Sequence, residues 1–272
     1  MTSINQECPM PPKRAEDLDK IRKKLQEEFD NNHNPPPDKK ESEKFKEFKE
    51  KESFLLRHRR AISWLNRAQK MEKDEKSTDK ELDTQFIFLW IGFNALYARE
   101  PKKDLGGMAE MEKYFDNLLK CPEKPKDNIY KIINCVLKEN IKSLQENKYI
   151  SKDHWNMAMD RRKEKEDIQF PGWKINVTQE ILRCVFQRLY VLRNQLMHGA
   201  STWGKTDNKD QLIHGAKVMH YLLPIFIEFM LKSPKNKWKA WGEIWYPRVD
   251  DVGVEGKLLK SADAPRHYRV ES

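Results

Sequence analysis

Residues 86–98 read FIFLWIGFNALYA, an apolar run interrupted only by Gly92 and Asn94. A helix that is apolar on every face is buried on every face, and this run is shorter than the ~20 residues that a bilayer span requires. The run therefore predicts a helix at the centre of a folded core. Gly92 offers a point where a neighbouring backbone can approach closely, and a buried Asn94 needs hydrogen-bond partners.

The sequence on either side of this run follows helical periodicity. Residues 54–71 (FLLRHRRAISWLNRAQKM) space Leu55, Ile62 and Leu65 along one face and predict a basic amphipathic helix. Similar apolar faces recur at three- and four-residue spacing in the segments 111–119, 127–144, 177–196 and 209–231. The sequence contains no alternating strand pattern of any length and no internal repeat. These features predict an all-α fold, a helical bundle.

The two ends of the chain differ from the predicted bundle and define the expected domain boundaries. Residues 1–53 are dominated by Lys, Glu and Asp and include a run of three prolines. We expect a charged arm that is disordered or partly helical, because so little apolar surface does not offset the entropy of the chain. Residues 54–232 are expected to form the helical domain. Residues 233–272 lack a regular period and are expected to pack on it as an irregular, Trp-rich extension.

The formal charge of the 272-residue chain is +9. A positive field attracts polyanions and speeds their capture, which makes nucleic acid the obvious partner. A Lys-rich protein that uses its charge for solubility has a similar composition, so the charge alone leaves both interpretations open. The mean hydropathy of −0.91 indicates that sizeable segments stay solvated.

The four cysteines are scattered, with no C-x-x-C pair and no nearby His at ligand spacing. They predict neither a zinc site nor a disulfide framework, and we expect no metal and no other cofactor. The first residues, MTSINQECPMPPKR, lack the apolar core of a signal peptide, and no apolar run is long enough to cross a bilayer. We therefore expect a cytoplasmic protein without membrane association.

The residues that indicate chemistry lie in LRNQLMHGA, residues 192–200, at the end of one predicted helix. A polar stripe follows this helix through four positions, Gln187, Tyr190, Asn194 and His198. Arg193 and His198 are separated by roughly 140° of rotation on an ideal helix of ~3.6 residues per turn. One straight helix cannot direct both side chains at one atom. Either the helix unwinds at Gly199, or the Arg side chain wraps around it, or two copies of the helix face each other.

The pattern Arg193-Asn194-x-x-x-His198 resembles the R-x4-6-H signature of the HEPN superfamily, which often has a polar residue directly after the Arg. The run at 86–98 is similar to the aromatic-rich earlier helix of one bacterial branch of that superfamily. The sequences RLYVLRNQLMHGASTW (188–203) and LLPIFIEFM (222–230) are similar to the final two helices of that branch. The resemblance covers residues 54–232 and leaves both ends of the chain unmatched.

The resemblance implies a metal-independent endoribonuclease that acts as a homodimer, with the two signature helices forming one composite site. The 2′-hydroxyl of the RNA substrate would attack the adjacent phosphate and leave a 2′,3′-cyclic phosphate and a 5′-hydroxyl. In that chemistry His198 acts as general base or acid, Arg193 holds the phosphate, and Asn194 orients the His or the phosphate. The resemblance also implies a bacterial defence or toxin setting, with an antitoxin or other regulatory partner.

Other interpretations of the same residues remain open. Some HEPN members keep the fold without catalysis, so the chain is alternatively a module that binds RNA, nucleotide or a partner protein through the polar stripe. A third interpretation is a structural dimerisation domain that binds no RNA. In the simplest interpretation His198 stabilises the carboxyl end of the helix dipole and Arg193 is a surface ion-pair partner.

Three other groups of residues were considered for a chemical role. Three clustered arginines are candidates for contacts with RNA phosphates: Arg57, Arg59 and Arg60. A charge run on an amphipathic helix is more often its solvated face. We predict that His58, His214 and His220 are hydrogen-bonded within the fold or exposed to solvent and are not catalytic. Packing, rather than base stacking, is predicted for Trp238, Trp241 and Trp245.

Overall fold

The described part of the chain is built mainly of helices. A computed structural model describes residues 13–32, 43–73, 81–99, 107–151, 170–200, 209–242 and 244. Within those ranges the α-helices are α1 (Ala15–Asn32), α2 (Glu43–Lys73), α3 (Leu82–Tyr97), α4 (Gly107–Leu119), α5 (Pro125–Ile132), α6 (Lys138–Glu146), α7 (Thr178–Met197) and α8 (Lys209–Leu231). The same ranges contain no β-strand, which confirms the all-α prediction.

Short turns of other helical types extend this framework. A π-helical turn, Ile133–Leu137, joins α5 to α6, so the helix predicted from residue 127 begins at Pro125 and changes its hydrogen-bond pattern midway. Proline suits the first helical position, because its missing N–H would have no partner there. Single 3₁₀ segments follow at Lys148–Ile150 and Ile175–Val177.

Helix α3 lies at the centre of the core, as its uniformly apolar sequence predicts. The Phe93 ring is fully buried and packs against rings from three other helices, Phe115, Phe186 and Phe226. The nearest of these rings, Phe186 on α7, has its centroid 4.6 Å from that of Phe93. Helix α7, which carries the signature residues, is therefore anchored against α3 by large aromatic side chains.

Gly92 on α3 allows two helices to approach α3 closely, which confirms the expectation for this position. A Cβ atom at Gly92 would lie 3.0 Å from Leu223 Cδ2 on α8 and 3.3 Å from the Ala61 carbonyl oxygen on α2. Both distances are shorter than ordinary van der Waals contact with a carbon atom. The absent side chain therefore sets the spacing of α2 and α8 from the central helix.

The first helix corrects the expectation of an arm with too little apolar surface to pack. Helix α1 buries Leu18 and Phe29 in the core, and partly buried Ile21 and Leu25 pack beside them. These four residues are spaced by three, four and four positions, so they lie on one face of the helix. The overall composition of residues 1–53 does not indicate this apolar face, because the charged residues on the opposite face dominate the average.

The predicted boundary at residue 53 also differs from the structure. Helix α2 begins at Glu43 and continues without interruption to Lys73, so the boundary falls inside a helix. The Ala15 N–H donates a hydrogen bond to Gln69 Oε1 over 3.0 Å, which fastens the start of α1 to the last turns of α2. The described part of the predicted arm is thus helical and packed. Residues 1–12 and 33–42 lie outside the described residues.

After α8 the chain forms a short 3₁₀ helix, Lys235–Trp241, where the sequence shows no regular period. Trp238 and Trp241 are each 3% exposed. The Trp238 ring stacks on Phe54 of α2 with centroids 4.2 Å apart, which favours the packing role predicted for it over base stacking. Trp245 and the rest of the predicted extension, residues 245–272, lie outside the described residues.

Arg57 of α2 is fully buried and forms hydrogen bonds with the carboxyl end of α3. Its guanidinium donates hydrogen bonds to the carbonyl oxygens of Leu96, Ala98 (3.2 Å) and Gly242 (3.3 Å). A cation is stabilised at the carboxyl end of a helix, where carbonyl groups lack partners from the helix itself. Burial lowers the pKa of Arg57 to about 9, with the neighbouring Arg99 contributing, so the side chain stays protonated at neutral pH.

His58, the next residue, is fully buried beside Phe54. Its Nδ1–H donates to the Phe54 carbonyl oxygen over 2.6 Å, because a carbonyl can only accept. Burial lowers the pKa of His58 to about 3, so the folded protein holds the neutral ring. The arginine run is therefore not a uniformly solvated face, since Arg57 and His58 both point into the protein.

We expect the buried His58 to make the protein less stable in mild acid. Below pH ~6.5 the unfolded chain protonates this side chain and the folded chain does not, so the free energy of unfolding falls by about 1.4 kcal/mol per pH unit down to pH ~3. Urea unfolding at pH values from 7.5 to 4.5 measures this slope. His58→Gln, which keeps an N–H donor for the Phe54 carbonyl, should remove the contribution. An unchanged slope in the variant would refute the assignment.

The described helices were also compared with the requirements for a membrane span. None of them has both the length and the apolar character needed to cross a bilayer.

Candidate functional site

Helix α7 ends in a turn that determines where its last side chains lie. Gly199 adopts a left-handed conformation with φ +71°. The Ala200 N–H bonds back to the Gln195 carbonyl over 2.9 Å, and the Gly199 N–H bonds to the Leu196 carbonyl over 3.4 Å. This pair of bonds is the Schellman motif, which ends a helix sharply and favours glycine at the left-handed position. Gly199 is thus the helix stop that its sequence position predicts.

The polar stripe predicted along α7 changes from buried to exposed along the helix. Gln187 is buried, Tyr190 and Asn194 are partly buried, and His198 is exposed. The structure therefore places these four residues in different environments. Of these four side chains only His198 is exposed, whereas Tyr190 lines a cavity described below.

Arg193 and Asn194 are brought together by the structure. The Arg193 Nη1 donates a hydrogen bond to Asn194 Oδ1 over 2.9 Å. The Arg193 Nε is inaccessible to solvent and has no hydrogen-bond partner among the described residues. An arginine held at one nitrogen and unsatisfied at another can still bind an anion through its remaining N–H groups.

His198 lies one residue beyond α7, with its backbone N–H bonded to the Asn194 carbonyl over 3.0 Å. Its side chain is exposed, and the neighbouring Met197 is 54% exposed. Arg193 lines a cavity to which His198 does not contribute. The two signature residues of one chain therefore do not line this cavity together.

The cavity that contains Arg193 lies between α2, α3, α4 and α7, and we call it the α3–α7 cavity. Its volume is about 470 Å³. Much of its wall is aromatic, with Trp64 from α2, Trp90 and Tyr97 from α3, and Tyr190 from α7. The ring centroids of Trp90 and Tyr190 are 6.2 Å apart, with the two ring planes inclined by 58°. Such a wall suits a planar ligand that can stack.

Charged side chains complete the α3–α7 cavity. Among the described residues, Arg60, Arg99 and Arg193 line it together with one carboxylate, Glu110. Burial lowers the pKa of Arg99, and the nearby Glu110 opposes that change. Burial raises the pKa of Tyr97, whose phenol is therefore neutral, while the charge of Arg193 acts in the opposite direction. The described lining thus carries more positive than negative side chains, which favours an anionic ligand.

The other predicted candidates fall outside this cavity or contribute to it without catalytic geometry. Arg59 is exposed, and Arg57 donates hydrogen bonds to the carboxyl end of α3. Of the three clustered arginines only Arg60 lines the cavity. His214 accepts a hydrogen bond at Nδ1 from Asn140 over 2.9 Å, and burial lowers the pKa of His214. Its bonded, partly buried position agrees with the structural role predicted for it.

Sequence reasoning did not assign three polar residues of the cavity to a site, Asn94, Arg99 and Glu110. A signal for Asn94 was present, because it is four residues after Trp90 and three before Tyr97 and so shares a helix face with both. We interpreted that face as uniform core. No sequence signal identifies Glu110, since its cavity position depends on how α4 packs against α3 and α7.

The described residues contain no group of three or more His, Cys, Asp or Glu side chains placed to hold a metal ion. No known protein family, curated protein or solved structure matches this chain. The assignment of a function therefore depends on the site itself and on the resemblance of its motif.

Proposed function

We propose that the chain is a metal-independent endoribonuclease of the HEPN type, in which Arg193, Asn194 and His198 cleave RNA at a site shared by two copies of the chain. The supporting observation is the position of the three residues. Arg193 is oriented by Asn194 at a cationic, aromatic cavity, while His198 is held in solvent at the sharp end of the same helix. An RNA substrate and a cytoplasmic defence or toxin setting, with an antitoxin or regulatory partner, belong to the same proposal.

The proposed reaction needs only groups that RNA and these residues supply. His198 removes the proton of the 2′-hydroxyl, whose oxygen then attacks the adjacent phosphorus. The P–O bond to the 5′-oxygen breaks, and that oxygen takes up a proton from solvent water. The products are a 2′,3′-cyclic phosphate and a 5′-hydroxyl. Arg193 donates charge-assisted hydrogen bonds to the phosphate oxygens as negative charge develops on them, and Asn194 holds the guanidinium in place.

The proposed site takes its two signature residues from different chains. Arg193 lines the α3–α7 cavity and the exposed His198 does not, so we place His198 of a second chain beside a phosphate held at Arg193. The exposed thioether of Met197, directly before His198, supplies apolar surface for such a contact. In a symmetric dimer each helix end meets its copy, and two equivalent sites form.

Product analysis tests the reaction. The full chain is incubated with single-stranded RNA in excess EDTA, and we expect fragments that end in 2′,3′-cyclic phosphate or its hydrolysed form. His198→Ala should give no such fragments. Arg14→Ala, which removes an exposed arginine directly before α1 that does not line the α3–α7 cavity, should cleave at the wild-type rate. Cleavage that requires a divalent ion, or that leaves a 3′-hydroxyl, would contradict the proposal.

The second candidate function is RNA or nucleotide binding without cleavage. It is favoured by the α3–α7 cavity, which has aromatic and cationic walls suited to a nucleotide whether or not His198 takes part. In the same assay this function predicts salt-dependent RNA binding with no product. Retention of RNA by both wild type and His198→Ala, with the RNA intact, would therefore select the binding function.

A further inference from the structure

We propose that Met197 of one chain inserts into the α3–α7 cavity of a second copy, and that the same contact repeats in the opposite direction. The contact follows from the cavity and the end of α7, whereas the use of His198 there rests on the proposed ribonuclease function. The surface through which two chains join is thereby assigned, which the signature motif does not specify. The contact also gives His198 of one chain a way to reach Arg193 of the other.

Met197 shares a face of α7 with the residues that line the cavity. Tyr190 and Arg193 both line it, and Met197 follows Arg193 by four positions as the last residue of the helix. Four residues rotate an ideal α-helix by about 40° and advance it by about 6 Å. Met197 therefore continues the cavity-facing stripe of α7 one turn beyond Arg193, at the point where the helix ends.

Apolar side chains at this face are exposed to solvent. Four large hydrophobic side chains are exposed among the described residues, and two of them are Trp64, at 36%, and Met197, at 54%. Trp64 lines the cavity, and Met197 lies one turn of α7 beyond a residue that lines it. Insertion of Met197 into the cavity of a second copy would cover both side chains at once, which removes apolar surface from water.

The walls of the cavity suit a methionine side chain. Four aromatic residues line it, Trp64, Trp90, Tyr97 and Tyr190. Methionine is unbranched and flexible, so it can fill an irregular space, and its sulfur makes favourable contacts with aromatic rings. The volume of about 470 Å³ exceeds that of one side chain, so the last turn of the incoming helix can approach as well.

Charge also favours the carboxyl end of a helix as the incoming segment. The charged residues of the described lining are three arginines and one glutamate, Arg60, Arg99, Arg193 and Glu110. The last turn of an α-helix carries partial negative charge on its carbonyl groups. Met197 is the last residue of α7, so its insertion brings this negative end to a surface that is positive on balance.

The contact can close as a two-fold symmetric dimer. Each chain carries both halves of the contact, the exposed methionine and the cavity, on one face and about one helical turn apart. A two-fold axis between these halves places Met197 of each chain at the cavity of the other. His198 directly follows Met197, so His198 is brought to the cavity that Arg193 of the second copy lines.

A nucleotide is the other occupant that the aromatic and cationic walls fit. A nucleotide would enter from solvent and would leave Met197 exposed on every chain. Insertion of Met197 covers the apolar surface of the cavity and of the helix end together, so we favour the second copy. The two occupants also predict different behaviour of Met197 variants, because only the second copy makes dimer formation depend on this side chain.

Dimer formation by full-length variants tests the contact. Analytical ultracentrifugation over a range of concentrations gives the Kd of the dimer. Met197→Asp would bury a charge among aromatic rings and should raise this Kd at least about tenfold, whereas Met197→Leu keeps an apolar side chain of similar size and should change it less than about threefold. The matched control is Ile175→Asp, because Ile175 is 44% exposed and does not line the cavity, and its Kd should equal that of wild type.

Mixed dimers test whether the contact is reciprocal. Trp64→Ala removes part of the wall that receives Met197. A dimer of one Met197→Asp chain with one Trp64→Ala chain keeps one intact contact, whereas a dimer of the double variant with a wild-type chain keeps none. Both pairs carry the same two substitutions. We expect a lower Kd for the first pair, measured with differently labelled chains whose folding is checked by thermal unfolding.

Equal Kd values for the two pairs, or equal effects of Met197→Asp and Ile175→Asp, would overturn the contact. Wild-type chains that stay monomeric at every concentration would overturn both the contact and the shared ribonuclease site. A dimer that depends on Met197 but does not cleave RNA would support the contact and reject the ribonuclease. RNA cleavage by a dimer that Met197→Asp does not weaken would do the reverse.

Discussion

Arg193→Ala is expected to reduce the rate of RNA cleavage by about 10²- to 10³-fold, the usual loss when a preorganised donor to a developing oxyanion is removed. The loss should be in the chemical step, because Arg193 is proposed to stabilise charge that increases in the transition state. Single-turnover cleavage with the enzyme in excess measures this step separately from product release.

The same substitution should leave the fold intact. Arg193 donates a hydrogen bond to its neighbour Asn194, and its Nε atom is buried without a hydrogen-bond partner among the described residues, so its removal breaks little that holds the helices together. Arg193→Lys keeps a charge and loses the planar fork, so we expect an intermediate rate. Cleavage by Arg193→Ala at the wild-type rate, with unchanged thermal unfolding, would remove Arg193 from the mechanism.

Arg57→Met is expected to have the largest effect on stability, a loss of about 3 kcal/mol in the free energy of unfolding. Methionine fills the space of the aliphatic part of arginine and leaves the carbonyls of Leu96, Ala98 and Gly242 without their donor. Each buried polar group left unpaired costs about 1–3 kcal/mol, offset in part because the guanidinium no longer has to be desolvated. Urea unfolding at neutral pH measures the difference.

Arg59→Ala is the matched control for this change. Arg59 lies two residues further along α2 and is exposed, so its removal should alter stability by less than about 0.5 kcal/mol. Arg57 also bonds to Gly242, directly after the 3₁₀ helix, so amide exchange at residues 235–241 should accelerate in Arg57→Met. Equal stabilities for the two variants would contradict the internal role of Arg57.

Helices α3 and α7 could be predicted from the sequence because the residues that determine their burial and their ends lie within or next to each helix. The run at 86–98 has no polar face, which is enough to place α3 in the core. Gly199 follows the last apolar position of α7 and adopts the left-handed conformation that ends a helix. In both helices the determining feature, an apolar surface in α3 and a terminal glycine in α7, can be read from adjacent residues.

The N-terminal helix and the buried arginine could not be predicted in the same way. Composition averages over all faces of a helix. The high charge of the segment therefore gave no sign of the apolar stripe through Leu18 and Phe29. Arg57 resembles Arg59 in every local respect, yet one is buried and the other exposed. The difference arises from the end of α3 and from Gly242, which are distant in sequence and meet Arg57 only after folding.

The candidate site was predictable only in part. The sequence indicates that Arg193 and His198 cannot meet on one straight helix, and the structure places only Arg193 at the α3–α7 cavity. The sequence does not reveal the cavity, because its walls come from four helices whose relative positions depend on core packing. Glu110 is the clearest example, since it lines the cavity only because α4 packs beside α3 and α7.

A mixed dimer tests most directly whether Arg193 of one chain works with His198 of another. Arg193→Ala and His198→Ala chains with different tags are co-expressed and purified through both tags, so that only mixed assemblies remain. Such a dimer retains one site with both residues, and we predict recovery of about half the wild-type cleavage rate from two variants that are inactive alone. A doubly tagged dimer as inactive as either variant would contradict the shared site, as would a wild-type chain that cleaves RNA as a monomer.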